Sequence, residues 1–452
     1  MSWRRTATWA LGGAMVMAGL ALLGLAVRGG AWAGPLTPTQ AAVAEPPPRP
    51  EQVAAGARLA QAGNCLGCHS LPGRPPGAGG LAIATPFGAV HAGNLTPDPG
   101  TGLGRWREAD FVRALREGIS RDGRLLYPAF PYPHFSRLGD DDARSLWAWA
   151  RSLAPAQQAA TPPRLSWPAR SPWALAVWRG LFFQPQRFQP DPTQPDAWNR
   201  GAFLVQGPAH CGACHDSRHA LGAAWAPGRL DGQRMPDGRW QAPSLRDPAQ
   251  AGVQRWTEAE VVQLLQIGRS PAGRANGPMA EVVRHGTSGL PLADLQAMAT
   301  YLRQLPVEAA PGSPTPSAPL SASAADVTSP VAAAPAVPLA VAPSDLGPRL
   351  YQQHCADCHG PQGEGAAGVY PPLVGNRLLA QPDALNLARV VMEGGFELAT
   401  PAHPQPYGMP PYGPLLSDAE LAELLSFLRS TWGGGAGPVG PVMVNRWRTG
   451  GG

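Results

Sequence analysis

The sequence predicts an all-α protein in which one small helical unit occurs three times. The main observation is a closing helix with apolar residues at positions i, i+3, i+4 and i+7, which share one helix face. This stripe begins at Ala143, at Leu295 and at Leu421. The second observation is an aromatic residue six positions after the first member of each stripe: Trp149, Tyr301 and Phe427.

Two further helices precede each closing helix and complete the unit. The first helix of each copy is predicted over residues 52–61, 198–205 and 346–353. The second covers residues 111–117, 261–267 and 387–393. Each copy of the second helix stops at glycine, a common residue after a helix C-terminus: Gly118, Gly268 and Gly394. Thr257 and Glu260 have the spacing of a capping box at the start of the middle copy.

Length and composition agree with three small domains. At about 150 residues per domain, a chain of 452 residues contains roughly three. The 44% of hydrophobic residues and the 15 Trp are enough for several small cores. The net charge of +5 is mild for this length and no basic run occurs, so nucleic acid is not an expected partner.

All six cysteines lie in three copies of the pattern C-x-x-C-H. The cysteine pairs and the histidines that follow them are Cys65, Cys68 and His69; Cys211, Cys214 and His215; and Cys355, Cys358 and His359. This is the attachment pattern of c-type haem. The two thiols form thioether bonds with the vinyl groups of one porphyrin, and the histidine binds the iron as its proximal ligand. The sequence therefore predicts three covalently bound haem c groups, and no cysteine remains for a disulfide.

Zinc binding and a redox-active dithiol are the alternatives for this pattern. A structural zinc site needs four converging ligands, whereas each copy offers three and lies far from the next copy in sequence. A dithiol does not account for the same histidine in every copy. Each helical unit is therefore predicted to be a class I cytochrome c domain, in which the porphyrin supplies much of a thin core.

The repeats and the composition set the predicted boundaries. The three domains cover residues 50–155, 196–306 and 344–433. Residues 307–343 are almost entirely Ala, Pro, Ser and Val, a composition that predicts an extended linker. The Gly-rich tail, 434–452, is expected to be disordered. Between the first two domains, the Pro- and Trp-rich stretch Thr161–Pro195 is expected to pack across both.

The first 33 residues are predicted to be a membrane anchor or a signal peptide. Arg4 and Arg5 precede an apolar run that extends to Val27, and a small-residue cleavage site lies before Gly34. The run is long enough to span a bilayer, so a retained transmembrane anchor is favoured over a cleaved signal. Both alternatives export the chain, and c-type haem is attached outside the cytoplasm. The predicted location is the periplasmic side of the bacterial inner membrane.

The sixth iron ligands are predicted from the repeat alignment. Met279 and Met409 occupy corresponding Gly/Pro loops in the second and third copies, and a methionine ligand raises the potential of a c-type haem. The first copy has Phe130 at this position, and Phe offers no lone pair to iron. His134 in the same Pro-rich loop is the expected ligand of the first haem. His91 and an open or water-bound site are the alternatives.

Four segments resemble the three-haem cytochrome c subunits of bacterial membrane-bound dehydrogenases. They are Asn-Leu-Thr-Pro-Asp-Pro at 94–99, Tyr-Pro-Ala-Phe-Pro-Tyr at 127–132, Asn-Arg-Gly-Ala-Phe-Leu-Val at 199–205 and Tyr-Pro-Pro-Leu-Val-Gly-Asn at 370–376. The resemblance extends from about residue 50 to 433, apart from the linker. It implies a subunit that takes electrons from a periplasmic catalytic subunit and passes them to ubiquinone or a terminal oxidase, with no substrate chemistry of its own.

The resemblance leaves the cofactor of the catalytic partner open. Alcohol dehydrogenases of this type have a PQQ subunit, gluconate and sorbitol dehydrogenases a flavin subunit, and a third branch serves molybdenum hydroxylases. Phe130 with His134, and the segment at 404–411, look more like the third branch. Two less favoured functions are a multi-haem peroxidase, which needs a free sixth position on one iron, and an oxidase-linked carrier without a dehydrogenase.

Overall fold

The computed structural model describes residues 2–36, 47–308, 345–396 and 407–450. The described chain divides into two compact units. The first unit contains Met1–Asp237, Leu265–Ile267 and Gly277–Leu302, and the second contains Gly238–Leu264, Gly268–Asn276 and Arg303–Gly452. The range predicted as the second domain is thus shared between the two units. The predicted linker at 307–343 lies outside the described residues, except for its first two.

Nine helices are described up to residue 237 of the first unit. They are α1 (Ser2–Arg28), α2 (Pro50–Ala62), α3 (Cys65–Cys68), α4 (Glu108–Glu117), α5 (Tyr132–Phe135), α6 (Asp140–Ser152), α7 (Pro172–Phe182), α8 (Asp196–Gln206) and α9 (Gly212–His215). Four short strands accompany them: β1 (Ala82–Thr85), β2 (Gly88–His91), β3 (Arg164–Leu165) and β4 (Gln233–Arg234). Strands β1, β2 and β3 form an antiparallel sheet in which Ala82 lies opposite His91. The all-α prediction misses this sheet because its strands are too short for a period-two pattern to emerge.

The rest of the chain is also mainly helical. The next elements are β5 (Gln241–Ala242), α10 (Glu258–Ile267), β6 (Arg269–Ser270), β7 (Gly273–Arg274), α11 (Pro278–His285) and α12 (Leu292–Arg303), with 3-10 helices at Val253–Arg255 and Thr287–Gly289. They are followed by α13 (Leu346–His354), α14 (Ala356–His359), α15 (Arg377–Ala380), α16 (Leu385–Glu393), β8 (Gly395–Phe396), β9 (Gly408–Met409), α17 (Asp418–Trp432) and α18 (Pro441–Arg448). Strands β6 and β7 pair antiparallel, as do β8 and β9.

All nine predicted helices of the repeats form. The opening and second helices begin and end within three residues of their predicted bounds, and each closing helix begins three residues before its apolar stripe. Helices α4, α10 and α16 end at Gly118, Gly268 and Gly394, whose φ angles are 62°, 76° and 62°. Glycine adopts such positive φ angles without the steric cost that a Cβ atom brings. The Thr257 hydroxyl accepts a hydrogen bond from the Glu260 N–H at 3.2 Å, which confirms the predicted capping box.

A glycine in the opening helix of each repeat lets the closing helix approach closely. A Cβ atom at Gly56 or Gly201 would lie 1.9 Å from the carbonyl oxygen of Ser145 or Ala297, respectively. A Cβ atom at Gly347 would lie 2.7 Å from Cβ of Phe427. The aromatic residue of each stripe packs over the glycine of its own repeat, which accounts for its fixed place in the sequence: Trp149 over Gly56, Tyr301 over Gly201 and Phe427 over Gly347.

Both units have a buried apolar core in which the predicted stripes take part. In the first unit, Ala143, Leu146 and Trp147 of α6 are buried together with residues of α2 and α4. In the second unit, Leu421 and Leu425 of α17 are fully buried with residues of α13 and α16. Burial of these side chains is the main stabilising contribution from each repeat.

The Pro- and Trp-rich stretch packs across the first two predicted domains, as expected. The Trp178 Nε1–H donates a hydrogen bond to the Leu221 carbonyl at 2.9 Å, and the Phe188 ring contacts the Phe203 ring at 5.6 Å between centroids. The Arg187 guanidinium donates to the Ser136 carbonyl at 2.8 Å. The stretch is therefore part of the first unit and not a free linker.

Helix α1 lies in the N-terminal segment and packs against α7. A Cβ atom at Gly29 would meet the Ala176 carbonyl oxygen at 1.7 Å, and the Arg179 Nε–H donates to the Gly29 carbonyl at 2.8 Å. From its apolar sequence, this segment was also predicted to span a membrane. Over the part of the chain that the structure describes, no helix combines the length and apolar character that a bilayer crossing requires.

The expectation of a disordered tail from residue 434 onward is wrong for residues 441–448, which form α18. Val444 and Trp447 of this helix are buried in the core of the second unit. The two side chains are three positions apart and therefore lie on the same helix face. Their burial provides the apolar contact that the Gly-rich composition of the tail does not suggest.

Candidate haem sites

The three C-x-x-C-H copies share one backbone geometry. In each copy, the histidine N–H donates a hydrogen bond to the carbonyl of the first cysteine, at 2.8 Å for His69, 2.9 Å for His215 and 2.8 Å for His359. The five residues thus form a single helical turn. Because residues i and i+3 lie on one face of a turn, both cysteine side chains point to the same side. This is the arrangement that two thioether bonds to one porphyrin require.

The carbonyl of each of these histidines is held by a glycine of the following loop. The glycine N–H groups donate to the histidine carbonyls at 2.6–2.7 Å, from Gly79 to His69, from Gly232 to His215 and from Gly365 to His359. All three glycines have positive φ angles, 81°, 84° and 66°. The loop after each motif therefore turns back at a position that favours glycine, and it fixes the backbone of the proximal histidine.

Backbone carbonyls orient the imidazole rings of His69 and His359, the predicted proximal histidines of the first and third motifs. The Nδ1–H of His69 donates to the Gly93 carbonyl at 2.7 Å, and that of His359 donates to the Pro371 carbonyl at 2.9 Å. Burial lowers the pKa of both histidines, so the rings are neutral near pH 7. A neutral ring with a protonated Nδ1 presents the Nε2 lone pair, and metal-ligating histidines are commonly oriented in this way.

The cysteines have the properties of haem attachment sites rather than of reactive dithiols. Burial raises the pKa of Cys65, Cys211 and Cys355 to about 12. The second cysteine of each motif raises the pKa of the first cysteine further through charge repulsion. Dithiol redox sites instead lower the pKa of one thiol to generate a thiolate. The first cysteine of each motif therefore fits covalent haem attachment better than dithiol redox chemistry.

A cavity of about 1170 Å³ surrounds the first motif. Its lining includes Cys65, Cys68 and His69 and is otherwise mainly apolar. Pockets for small molecules usually have volumes of about 300–1,000 Å³, so this cavity is large enough for a porphyrin. Cys214 of the second motif also lines it, and the Cys68 thiol contributes to the raised pKa of Cys214, after burial. The first two attachment sites therefore lie close together within the first unit.

His134 lies in this cavity on α5, in the Pro-rich loop that the sequence analysis singled out. Its Nδ1–H donates to the carbonyl of Gln206 at 3.1 Å, so the lone pair of the neutral ring lies on Nε2. Burial lowers the pKa of His134 to about 3, and the neighbouring His210 acts in the same direction. The ring is therefore neutral, as iron ligation requires, and it shows the same Nδ1–carbonyl pattern as His69 and His359.

Three other residues that line this cavity are relevant to the question of which side chain binds the iron of the first haem opposite His69. Phe130 packs against the apolar core, with its ring 5.5 Å from that of Phe135. His91, the alternative ligand, lies on β2 with a buried Nδ1 atom that has no hydrogen-bond partner among the described residues. Met235 also lines the cavity, although the sequence analysis gave it no role. It follows the second motif in the sequence, so a repeat alignment does not connect it with the first haem.

The two methionines predicted as ligands occupy different elements. Met279 is the second residue of α11 rather than part of a loop, and it is absent from the described lining of the large cavity. Met409 lies on β9 opposite Gly395 and packs half-buried against the core of the second unit. Segment 404–411, which the sequence analysis compared with other proteins, is described only from residue 407.

Together, the repeated motif geometry and the helical fold define a c-type cytochrome. The cytochrome c family model matches residues 53–154 and 344–432, which contain the first and third motifs. Cytochrome c domains bind haem c covalently. The cysteines and the histidine of the first and third motifs are the residue types that such a haem requires.

Comparison with similar proteins shows to which family of c-type cytochromes the chain belongs. The cytochrome c subunit of the quinone alcohol dehydrogenase from Gluconacetobacter polyoxogenes is 36% identical over 402 residues, covering 87% of this chain and 83% of that protein. The gluconate 2-dehydrogenase cytochrome c subunit of Pantoea cypripedii is 35% identical over 405 residues, covering 88% and 89%. A nicotinate dehydrogenase subunit of Pseudomonas putida is 38% identical over 399 residues, 86% of this chain but 32% of that protein. The chain belongs to the family of cytochrome c subunits of dehydrogenases, which are electron-transfer proteins.

Proposed function

We propose that this chain is the three-haem electron-transfer subunit of a periplasmic dehydrogenase. It accepts electrons from the catalytic subunit and delivers them to ubiquinone or to a terminal oxidase. Substrate chemistry takes place on the partner and not on this chain. The repeated geometry of the three C-x-x-C-H turns supports this proposal best, because the second motif has the same two backbone hydrogen bonds as the first and third.

The contribution of the chain is to bind, orient and shield its cofactors. Bound haem supplies one-electron redox chemistry. The cysteines fix it covalently, the carbonyls of Gly93 and Pro371 orient two proximal histidines, and the apolar cavity walls exclude water. His134, Met279 and Met409 are the proposed sixth ligands. A His/His first haem would have a lower potential than two His/Met haems.

A molybdenum hydroxylase is the proposed catalytic partner. The nicotinate dehydrogenase relative is 38% identical to this chain, compared with 36% and 35% for the alcohol and gluconate dehydrogenase relatives. The occurrence of Phe130 where the other repeats have methionine supports the same branch. A PQQ-dependent alcohol dehydrogenase and a flavin-dependent sugar-acid dehydrogenase are the alternative partners.

The proposed location is the periplasmic face of the inner membrane, with attachment through the N-terminal region. Met15, Met17 and Leu20 of α1 are 57–70% exposed. Trp167, which precedes the adjacent α7, and Trp173 within it are 77% and 51% exposed. Large exposed apolar surfaces mark interaction sites, and Trp is enriched at membrane interfaces. Mass spectrometry of the mature chain tests this attachment, and a chain that begins at Gly34 would contradict it.

Purification of the native complex tests the proposed function. A tagged chain, extracted from membranes of its own organism with a mild detergent, should contain three haems. It should also bring a dehydrogenase catalytic subunit with it, and metal and cofactor analysis of that subunit distinguishes molybdenum, PQQ and flavin. Addition of the partner's substrate should then reduce the haems before any quinone is added.

Two outcomes would contradict the proposal. A chain that purifies without a dehydrogenase, and whose haems are reduced only by another cytochrome, would be an oxidase-linked carrier. Rapid consumption of peroxide by the chain alone, with a high-spin first haem, would indicate a peroxidase. Detection of PQQ or flavin in the partner would overturn only the preference for molybdenum.

A further inference from the structure

The C-terminal helix α18 is fixed to the core of the second unit by its apolar face. Val444 is fully buried and Trp447 is 3% exposed. On the buried side, the Arg389 guanidinium donates to the Trp447 carbonyl at 2.7 Å. The end of α18 is therefore held in one place, and this places Arg448 next to the loop that follows Met409.

The guanidinium of Arg448 donates hydrogen bonds to three acceptors around this loop. It binds the carbonyl of Gly413, the carbonyl of Leu416 at 2.8 Å, and the carboxylate of Asp418 through Nε at 2.7 Å. Asn445 of the same helix donates to the other oxygen of Asp418 at 2.7 Å. The hydrogen bonds from Asn445 and Arg448 hold the pKa of Asp418 below its usual range, so the acceptor stays ionised near pH 7.

The segment from Gly408 to Leu416, here called the Met409 loop, needs such outside donors. It contains Pro410, Pro411 and Pro414, none of which has a backbone N–H. Buried backbone carbonyls require hydrogen-bond partners, and the loop itself supplies few. Arg448 provides donors for two of its carbonyls from a helix that lies outside the repeat.

Other contacts of the Met409 loop connect it to the haem attachment segment, to α16 and, through the pairing of Met409 with Gly395, to β8. The Tyr412 hydroxyl donates to the carbonyl of His354, the residue before Cys355, at 2.5 Å. The N–H groups of Tyr412 and Gly413 donate to carbonyls at the end of α16, at 3.0 Å each. Gly413 is thus held on one side by α16 and on the other by Arg448. Loss of Arg448 would remove the side-chain donors to the Gly413 and Leu416 carbonyls, while the contacts of the loop with α16, His354 and β8 would remain.

We propose that Arg448 is a positioning residue for the iron ligand Met409. By holding the carbonyls of Gly413 and Leu416, it keeps the Met409 loop against the third haem and so strengthens the sulfur–iron bond. This inference rests on the proposed assignment of Met409 as the sixth ligand. It gives the C-terminal helix a role in setting the stability of haem ligation, beyond its contribution to the core.

Ligand displacement in the full-length holoprotein tests this role. A Met279→Ala background leaves Met409 as the only proposed methionine ligand. The red absorption band of sulfur-ligated ferric haem is then titrated with imidazole, which replaces methionine. Arg448→Ala and Arg448→Gln should lower the imidazole concentration needed for half-displacement, by about tenfold for Ala, which corresponds to about 1.4 kcal/mol. Arg446→Ala, an exposed position on the same helix, is the matched control and should leave it unchanged.

Two further variants separate this role from general stability and from the ligand assignment. Val444→Ala creates a small cavity under α18 but leaves the Arg448 contacts in place. Normal imidazole displacement in Val444→Ala, at a comparable loss of thermal stability, supports the positioning role. An equal effect of Val444→Ala and Arg448→Ala, or no effect of Arg448→Ala, overturns it. If Met409→Ala in the Met279→Ala background retains the absorption band, the assignment of Met409 is itself wrong.

Discussion

Replacement of His134 by alanine tests the ligation of the first haem. The imidazole lies in the cavity that contains Cys65, Cys68 and His69, and its Nδ1–H is bound to the Gln206 carbonyl. Phe130, at the position where the other repeats have methionine, has no lone pair for iron. We therefore expect His134→Ala to convert the first haem from low-spin to high-spin and to open it to carbon monoxide.

The structure also sets the size of the effect on stability. Gln206 is the last residue of α8, and the His134 ring donates to its carbonyl at 3.1 Å. Carbonyls in the last turn of a helix have no partner within the helix. A buried carbonyl that loses its donor costs about 1–3 kcal/mol. The free energy of unfolding should fall by about this amount, in addition to the loss of the iron bond.

Carbon monoxide binding to the reduced protein provides the assay. The wild-type chain should bind none under conditions in which His134→Ala binds one molecule per three haems, and electron resonance should show one new high-spin signal. His91→Ala is the control and should retain three low-spin haems. If the wild-type chain already binds carbon monoxide at one haem in three, the site is open. If His134→Ala remains fully low-spin, His91 or Met235 holds the position instead.

Three further predictions concern ligation, helix packing and capping. Met279→Ala and Met409→Ala should each remove one sulfur–iron absorption band and lower one midpoint potential, measured by redox titration; two surviving bands in the double variant would refute both assignments. Gly201→Ala should lower the free energy of unfolding by about 1–3 kcal/mol, since its Cβ would overlap a backbone carbonyl, whereas Gly24→Ala, with nothing within 4 Å, should not lower it. Thr257→Ala should cost about 0.5–2 kcal/mol in denaturant unfolding through loss of the helix cap, and an unchanged midpoint would contradict this.

The features that could be predicted from the sequence are those encoded locally. The C-x-x-C-H turn is complete within five residues, and the glycine at the end of α4 or α10 follows from the φ angle required there. The stripe of α6 needs only the period of a helix. These patterns repeat three times, so each copy supports the interpretation of the others. For this reason the helices of the repeat were placed to within a few residues.

The features that were missed depend on contacts between distant segments. The partner of His134 is 72 residues away, and no local pattern identifies the Gln206 carbonyl. Met235 is brought to the first haem cavity from beyond the second motif. The helix α18 did have a local signal, because Pro441 fits the first helical turn and Val444 and Trp447 share a face. The surrounding glycines obscured it.

Three hydrogen bonds join the first predicted domain to those residues of the second predicted domain that lie in the same unit. Besides His134 and Gln206, the Nε2–H of His210 donates to the Gly63 carbonyl at 3.1 Å, and the Gln61 amide donates to the Gly286 carbonyl at 2.8 Å. Residues 61, 63 and 210 each lie within five positions of a haem-attaching cysteine. These hydrogen bonds thus lie close to the predicted attachment sites of the first two haems. A fragment limited to residues 50–155 would lack the carbonyl that orients His134, so we expect the proposed ligation of the first haem by His134 to require the second repeat.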